Sequence, residues 1–160
     1  MQIKIYTAVF LHDENDNYLC LKRASWKKFA PNKYTGIGGT LESGEVEDIE
    51  GALRREFGEE TKIPVSVLDN LMLRGTMFVA NRDENDHVIY YFTAKVKRDE
   101  ITDLSCNEGE LVWVKEEDFA NLDWIGTVQV SMQYIIDPSV KRFSALIDET
   151  TGEKSVLVTK

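Results

Sequence analysis

The chain has 160 residues, 42% of them hydrophobic and 29% charged, and a formal net charge of −9. That length suits one domain with a full core, and no apolar run approaches the ~18 residues that a membrane span needs. The acidic balance argues against a polynucleotide partner, which is held by clustered Lys and Arg.

Residues 2–11 alternate apolar and polar side chains, and no basic stretch leads into an apolar block. The start therefore reads as a strand and not as a signal peptide. A turn over 12–17, rich in Asn and Asp, leads to a second strand over 18–24. Residues 25–34 break into a basic, aromatic loop with Pro31, and 35–41 read as a short strand among glycines. Helical spacing runs over 46–62, with Pro64 as the stop signal. Residues 65–80 and 88–96 resemble a long strand pair around a turn at 81–86. A strand at 110–115 precedes a short helix starting near Glu116 or Glu117. Residues 127–136 suit a helix, although their Val and Ile content also suits a strand. Pro138 marks a break, and 143–147 with 155–159 read as a hairpin closed by 148–154. Strands on both sides of helices imply an α+β or layered α/β/α domain. Cys20 and Cys106 form no CxxC pair and no metal-ligand spacing, so they read as free thiols of a reducing cytoplasm.

The chemistry is concentrated in residues 38–63, GGTLESGEVEDIEGALRREFGEETKI. Ile49, Ala52 and Leu53 follow the i, i+3, i+4 rule and define an inward helix face. Continuing that face reaches positions 56, 59 and 60, which are all glutamates. At ~100° per residue they fall in one sector of the helix. Such carboxylates repel one another by a few tenths of a kcal/mol per pair, and turned toward a cleft they need a compensating cation. Mg²⁺ fits, because it prefers oxygen ligands and shares its octahedron with water and phosphates. An acidic pocket that holds it attracts polyphosphate despite the net charge. No His or Cys stands nearby to favour zinc. Arg55 can orient Glu56 or pair with Glu45, and the Gly38–Gly39 pair permits a backbone carbonyl to join the metal shell. Alone, a Glu run is ordinarily a solvated face and a glycine pair a turn. Their co-occurrence with Glu45 and Arg55 over a short span favours a site.

This stretch resembles the Nudix box, GX5EX7REUXEEXGU, where U is a bulky aliphatic residue. Gly39 and Glu45 match its opening, Arg55-Glu56-Phe57-Gly58-Glu59-Glu60 matches REUXEE, and Ile63 closes it. Nine residues, not seven, separate Glu45 from Arg55, which predicts a longer loop into the helix. Lys62 replaces the final glycine, which in the family ends the helix in a left-handed conformation. A non-glycine held there costs about 1–2 kcal/mol, and Pro64 offers another way to end the helix.

The resemblance covers most of residues 1–140 and implies an α/β/α sandwich around a mixed sheet. The expectation is one Nudix-like domain over 1–160, with a C-terminal hairpin extension at about 141–160 of unassigned role. By the same resemblance Glu56, Glu59 and Glu60, helped by the Gly38 carbonyl, hold Mg²⁺, for which Mn²⁺ is a substitute. Arg55, Glu56 and Glu59 form the catalytic set, with Glu56 the first choice to accept a water proton. Glu108 is a candidate external ligand or base, and an exposed turn glutamate is an equal reading. Arg23 reads equally as a substrate ligand and as a surface arginine. Gly39 faces substrate; Trp26, Phe29 and Tyr34 are candidates to stack on a base, although aromatics there more often pack.

Residues 33–39 resemble the approach to the box in MutT-like enzymes. A nucleoside triphosphate, oxidised forms included, therefore ranks above a nucleotide sugar or dinucleotide. The partner expected is a small nucleotide-like molecule, with no polynucleotide and no membrane. Many members of the family pair into homodimers, but nothing in the sequence singles out an interface. The alternatives are a non-catalytic Nudix-like binding or regulatory module and, ranked lower, a prenyl diphosphate isomerase. The latter expects a cysteine near the glycine pair, and neither cysteine is there.

Overall fold

Both faces of strand β1 (Ile3–His12) are apolar, with Val9 and Leu11 in one buried cluster and Ala8 and Phe10 in another. This double burial places β1 inside a sheet with a layer on each side. The computed structural model describes residues 2–160. The other strands are β2 (Asn17–Arg23), β3 (Tyr34–Thr35), β4 (Leu71–Arg82), β5 (Asn85–Lys95), β6 (Ser105–Cys106), β7 (Gly109–Lys115), β8 (Arg142–Asp148) and β9 (Lys154–Thr159). Their order is β6-β7-β2-β1-β5-β4-β8-β9, with β3 paired to β2. The pairs β1·β5 and β4·β8 are parallel, and the others are antiparallel.

Helix α1 (Ile49–Glu60) covers one face, where Leu53 and Phe57 pack with Val9, Leu11, Leu19 and Phe92. Helix α2 (Gly126–Ile136) covers the other, where Val128, Met132 and Ile135 join Phe10, Met77, Tyr91 and Phe143. This is the α+β sandwich expected from the sequence. β1 pairs β2 at Leu11↔Leu19 and His12↔Tyr18. Further back its edge is taken by the glycine segment, through bridges Val9↔Ile37 and Tyr6↔Thr40. That segment wedges between β1 and β2, and a cleft opens beside it.

Several boundaries differ from the sequence reading. The helix begins at Ile49 because the Asp48 carboxylate caps it, accepting the Gly51 N–H at 2.9 Å. It ends at Glu60 because Thr61 is extended, with φ −124°. Residues 65–70 form a 3₁₀ turn that buries Leu68, where a strand was expected. Residues 35–41 pair as a strand only at Tyr34–Thr35 and otherwise through the two bridges. Residues 127–136 resolve as helix. The 81–86 turn tightens to Asp83 and Glu84, with φ 47° and 64°, the positive pair of a two-residue hairpin. The C-terminal hairpin β8–β9 extends the main sheet, since β8 runs parallel beside β4. Among the described residues no helix is long and apolar enough to cross a membrane.

Candidate active site

The inward face of α1 continues from Ala52 and Leu53 through Phe57, all buried. Glu56 and Glu60 flank that face one turn apart. Both line a cleft of about 500 Å³, together with Gly38, Gly39, Arg23, Lys27 and Glu108. Glu59 does not share their position. The apolar Phe57 occupies the core side, and Glu59 rotates to the rim with its side chain 57% exposed. The expected wall of three carboxylates is thus two in the cleft and one at its edge.

The glycine pair explains how Glu56 fits. A Cβ on Gly39 would stand 2.2 Å from Glu56 Oε2, and one on Gly38 would stand 2.0 Å from the Thr7 carbonyl oxygen. Only glycine allows either approach. The Gly39 carbonyl accepts the Thr7 N–H at 2.9 Å, whereas no donor among the described residues reaches the Gly38 carbonyl.

Arg55 organises the acids. Its Nε and Nη2 donate to the two Glu45 oxygens at 2.6 and 2.9 Å. Nη1 donates to Glu56 Oε1 at 3.0 Å and Glu59 Oε2 at 3.1 Å, and Nη2 reaches the Thr40 carbonyl at 3.2 Å. The two roles considered for Arg55, orienting Glu56 and pairing Glu45, are both filled. The hydrogen-bonded guanidinium holds the Glu45 carboxyl down at about 2. The longer spacing from Glu45 to Arg55 begins in a turn ahead of α1, where Asp48 N–H donates to the Glu45 carbonyl at 2.9 Å. Just before it, Glu42 N–H donates to Glu45 Oε2 at 2.7 Å and Gly44 takes φ +88°.

The end of α1 shows why glycine is not needed at position 62. Thr61 returns its N–H and its hydroxyl to the Phe57 carbonyl at 3.1 and 2.9 Å. Asn107 donates its N–H to the Glu60 carbonyl at 3.0 Å and its Nδ2 to the Glu59 carbonyl at 2.9 Å. With the last carbonyls capped from the β6–β7 turn, Lys62 stays out of the left-handed region. The same bonds bring Glu108 to the cleft, where Lys27 pairs with it.

Glu60 Oε2 is buried with no hydrogen-bond partner among the described residues. Burial first, then Glu108 and Glu56, raise its pKa, with Lys27 opposing. No three His, Cys, Asp or Glu side chains among the described residues converge as a ready-made cage. Arg55 draws Glu59, and one oxygen of Glu56, to itself. Two cleft carboxylates, one with an unpartnered oxygen, and an unused backbone carbonyl form an all-oxygen donor set. That set fits a hard cation that completes its shell with water and phosphate.

The five buried polar side-chain atoms without partners among the described residues belong to Thr7, Glu60, His87, Tyr91 and Thr127. All five residues line this one cleft. The Tyr91 hydroxyl faces Thr127 and Ser131 without completing a bond to either. Burial, then Arg82 and Lys4, lower the His87 pKa and favour the neutral imidazole. Arg23 lines the cleft and donates Nε to the Phe29 carbonyl at 3.0 Å.

Of the three aromatics considered, Phe29 alone reaches the cleft. Tyr34 packs edge-on against Trp124 at 5.8 Å. Trp26 is 69% exposed over a neighbouring shallow basin. Neither lines the cleft where the sequence places it. Sequence reasoning missed Lys27, Arg82, His87, Tyr91 and Thr127. The alternation of His87, Ile89 and Tyr91 along β5 was a usable signal for a shared face, but not for the cleft beside it.

Arginine-clamped carboxylates on a helix, set against a mixed sheet, are the arrangement of a Nudix domain. The model of the NUDIX domain matches residues 3–133, and the chain belongs to that family. Similar solved structures include the mutator MutT protein of Bacillus halodurans, 20% identical, with 97% of each chain covered and a TM-score of 0.67. The MutT protein of Methanosarcina mazei Go1 is 17% identical over 82% of this chain and 92% of its own, with a TM-score of 0.65. The NUDIX domain of Shewanella oneidensis NrtR, solved with ADP ribose, is 17% identical over 81% of this chain and 84% of its own, with a TM-score of 0.62. These likenesses show the fold. No curated protein matches the chain at a significant level.

Proposed function

We propose that this chain is a Mg²⁺-dependent pyrophosphohydrolase of the reducing cytoplasm. Its substrate is a nucleoside triphosphate or related nucleoside diphosphate derivative, oxidised deoxynucleotides included, and it cleaves the diphosphate linkage. The observation that carries this reading is the buried, unpartnered Glu60 oxygen beside Glu56 and Glu108. An uncompensated buried carboxylate opposes folding, so its presence in a cleft points to a ligand that neutralises it.

Glu56 and Glu60 with the Gly38 carbonyl, and Glu108 on release from Lys27, would hold Mg²⁺ or its substitute Mn²⁺. When bound, such a cation neutralises phosphoryl oxygens and acidifies a ligated water. The remaining work belongs to the side chains. Arg55 fixes the Glu56 carboxylate through Oε1, which leaves Oε2 against Gly39 as the acceptor for the proton of the attacking water. Arg23 and Lys27 take up phosphate charge. His87, Tyr91 and Thr127 offer unpartnered polar atoms to the edge of a base.

The test is a nucleotide panel with Mg²⁺, with products resolved by mass, for wild type and Glu60→Gln. Wild type is expected to release phosphate or pyrophosphate, and Glu60→Gln to lose the magnesium-dependent rate. Equal turnover by both proteins would overturn the reading. Nucleotide binding without turnover at any Mg²⁺ concentration would instead make the chain a non-catalytic module.

A further inference from the structure

The C-terminal hairpin lies beyond the residues matched by the NUDIX domain model, yet it reaches the cleft. The link is Arg82. In the β4–β5 ladder Val79 stands opposite His87 and Arg82 opposite Asn85, so three steps along β4 answer two along β5. The extra residue is a bulge, and Asn81 takes φ 62° within it. Without that residue Arg82 would alternate onto the face away from Val79. With it, Arg82 shares the face of Val79 and His87, which is the cleft side. Its guanidinium lies 5.5 Å from the centre of the Phe29 ring, the same ring that Arg23 covers at 5.6 Å.

Arg82 is held there from the hairpin. Its Nε and Nη2 both donate to Glu149 Oε1, at 2.8 and 2.6 Å. The turn carrying Glu149 is itself braced. Glu149 N–H donates to the Ala80 carbonyl at 3.1 Å, and Asn81 Nδ2 donates to Asp148 Oδ1 at 3.2 Å. Asp148 also accepts the N–H groups of Thr150 and Thr151, at 2.8 and 3.2 Å. A partly exposed ion pair of this kind adds little to stability. What it fixes is the direction of a guanidinium at a cleft lined also by Lys4, Arg23 and Lys27.

We propose that Glu149 is a positioning residue for substrate. It aims Arg82 so that Arg82 and Arg23, both packed on Phe29, grip the phosphates of a nucleoside di- or triphosphate. This deepens the pyrophosphohydrolase reading and rests on it for the identity of the anion.

The test compares wild type, Glu149→Gln, Arg82→Ala, the double variant, and Glu153→Gln as a control in the same turn. On the best nucleotide of the panel, Glu149→Gln is expected to raise KM about 5- to 10-fold with kcat within about twofold. The double variant is expected to be no worse than Arg82→Ala, and Glu153→Gln to match wild type. Calorimetric titration of the full chain with ADP and Mg²⁺ gives the same comparison without turnover, so an absence of hydrolysis leaves this arm intact. Unchanged KM and ADP affinity in Glu149→Gln would overturn the proposal, as would wild type that binds no ADP. Additive losses in the double variant would also overturn it. If Glu149→Gln fails to fold, Arg82→Lys carries the test: it keeps the charge but loses the two-pronged bond, and the same KM rise is expected.

Discussion

A carboxylate oxygen buried without a partner, as in Glu60, works against the metal-free fold, because desolvation and the charges of Glu108 and Glu56 all oppose ionisation. The folded pKa lies above the unfolded value of about 4.3. The penalty is therefore full above the folded pKa and is relieved as pH falls through it. Glu60→Gln is expected to raise Tm in EDTA at pH 7.5, to match wild type below about pH 4, and to lose the Tm increase that Mg²⁺ gives wild type. Thermal unfolding with and without Mg²⁺ checks this, and a lower Tm for the variant at pH 7.5 in EDTA would contradict it. Glu45 has the opposite sign. Its pairing with Arg55 stabilises above the ordinary carboxylate range and is lost as pH falls toward about 2. Arg55, Glu56 and Glu60 were legible in the sequence because one helix carries them at fixed spacing. The rotation of Glu59 was not, since spacing alone leaves open which flank the larger apolar Phe57 draws into the core. Arg82, His87 and Tyr91 reach the cleft through sheet register, and Thr127 through the docking of α2 on the sheet, for which no local pattern stands.

The end of α1 depends on a contact that its own sequence does not contain. The family's glycine suits a left-handed helix end, whereas here Thr61 is extended and Asn107 caps the last carbonyls from a different turn. Restoring the glycine should therefore not help. Lys62→Gly is expected to lower stability by about 0.4–1 kcal/mol, through the added freedom of the unfolded chain. Asn107→Ala is expected to cost about 0.5–1.5 kcal/mol for the lost side-chain bond. Urea unfolding measures both, and a stabilising Lys62→Gly would show that the cap is not what ends the helix. The 3₁₀ turn at Val65–Asn70 escaped the sequence reading for a related reason. Its apolar residues look like a strand, but they follow Pro64 and serve to bury Leu68 rather than to pair. The two long hairpins and α1 were legible, because their periodicities run over enough residues to be distinct, whereas the Val and Ile content of 127–136 left helix and strand both open until α2 packed on the sheet.

At the scale of the molecule, the hairpin's two strands could be read from their alternation, but its place in the sheet could not. The parallel β4·β8 pairing joins segments about 70 residues apart and leaves no mark in either. The junction rests on Phe143, which is buried and packs against Tyr91 at 6.1 Å and Tyr134 at 5.7 Å. It sits directly over Gly75: a Cβ there would lie 2.4 Å from the Phe143 ring and 2.5 Å from its carbonyl oxygen. Because part of that obstruction is backbone, a rotamer change in Phe143 cannot relieve it, and Gly75→Ala must push β8 off β4. Phe143→Ala keeps the backbone approach but empties the ring's site, at about 3–5 kcal/mol. The two variants separate stability from placement. Both are expected to lower the urea midpoint, but Gly75→Ala also moves the turn that carries Glu149. Its KM should accordingly rise toward that of Arg82→Ala, while Phe143→Ala, assayed well below its unfolding midpoint, should keep a KM near wild type. Equal KM values in the two variants would mean that the hairpin supports the fold without steering the cleft.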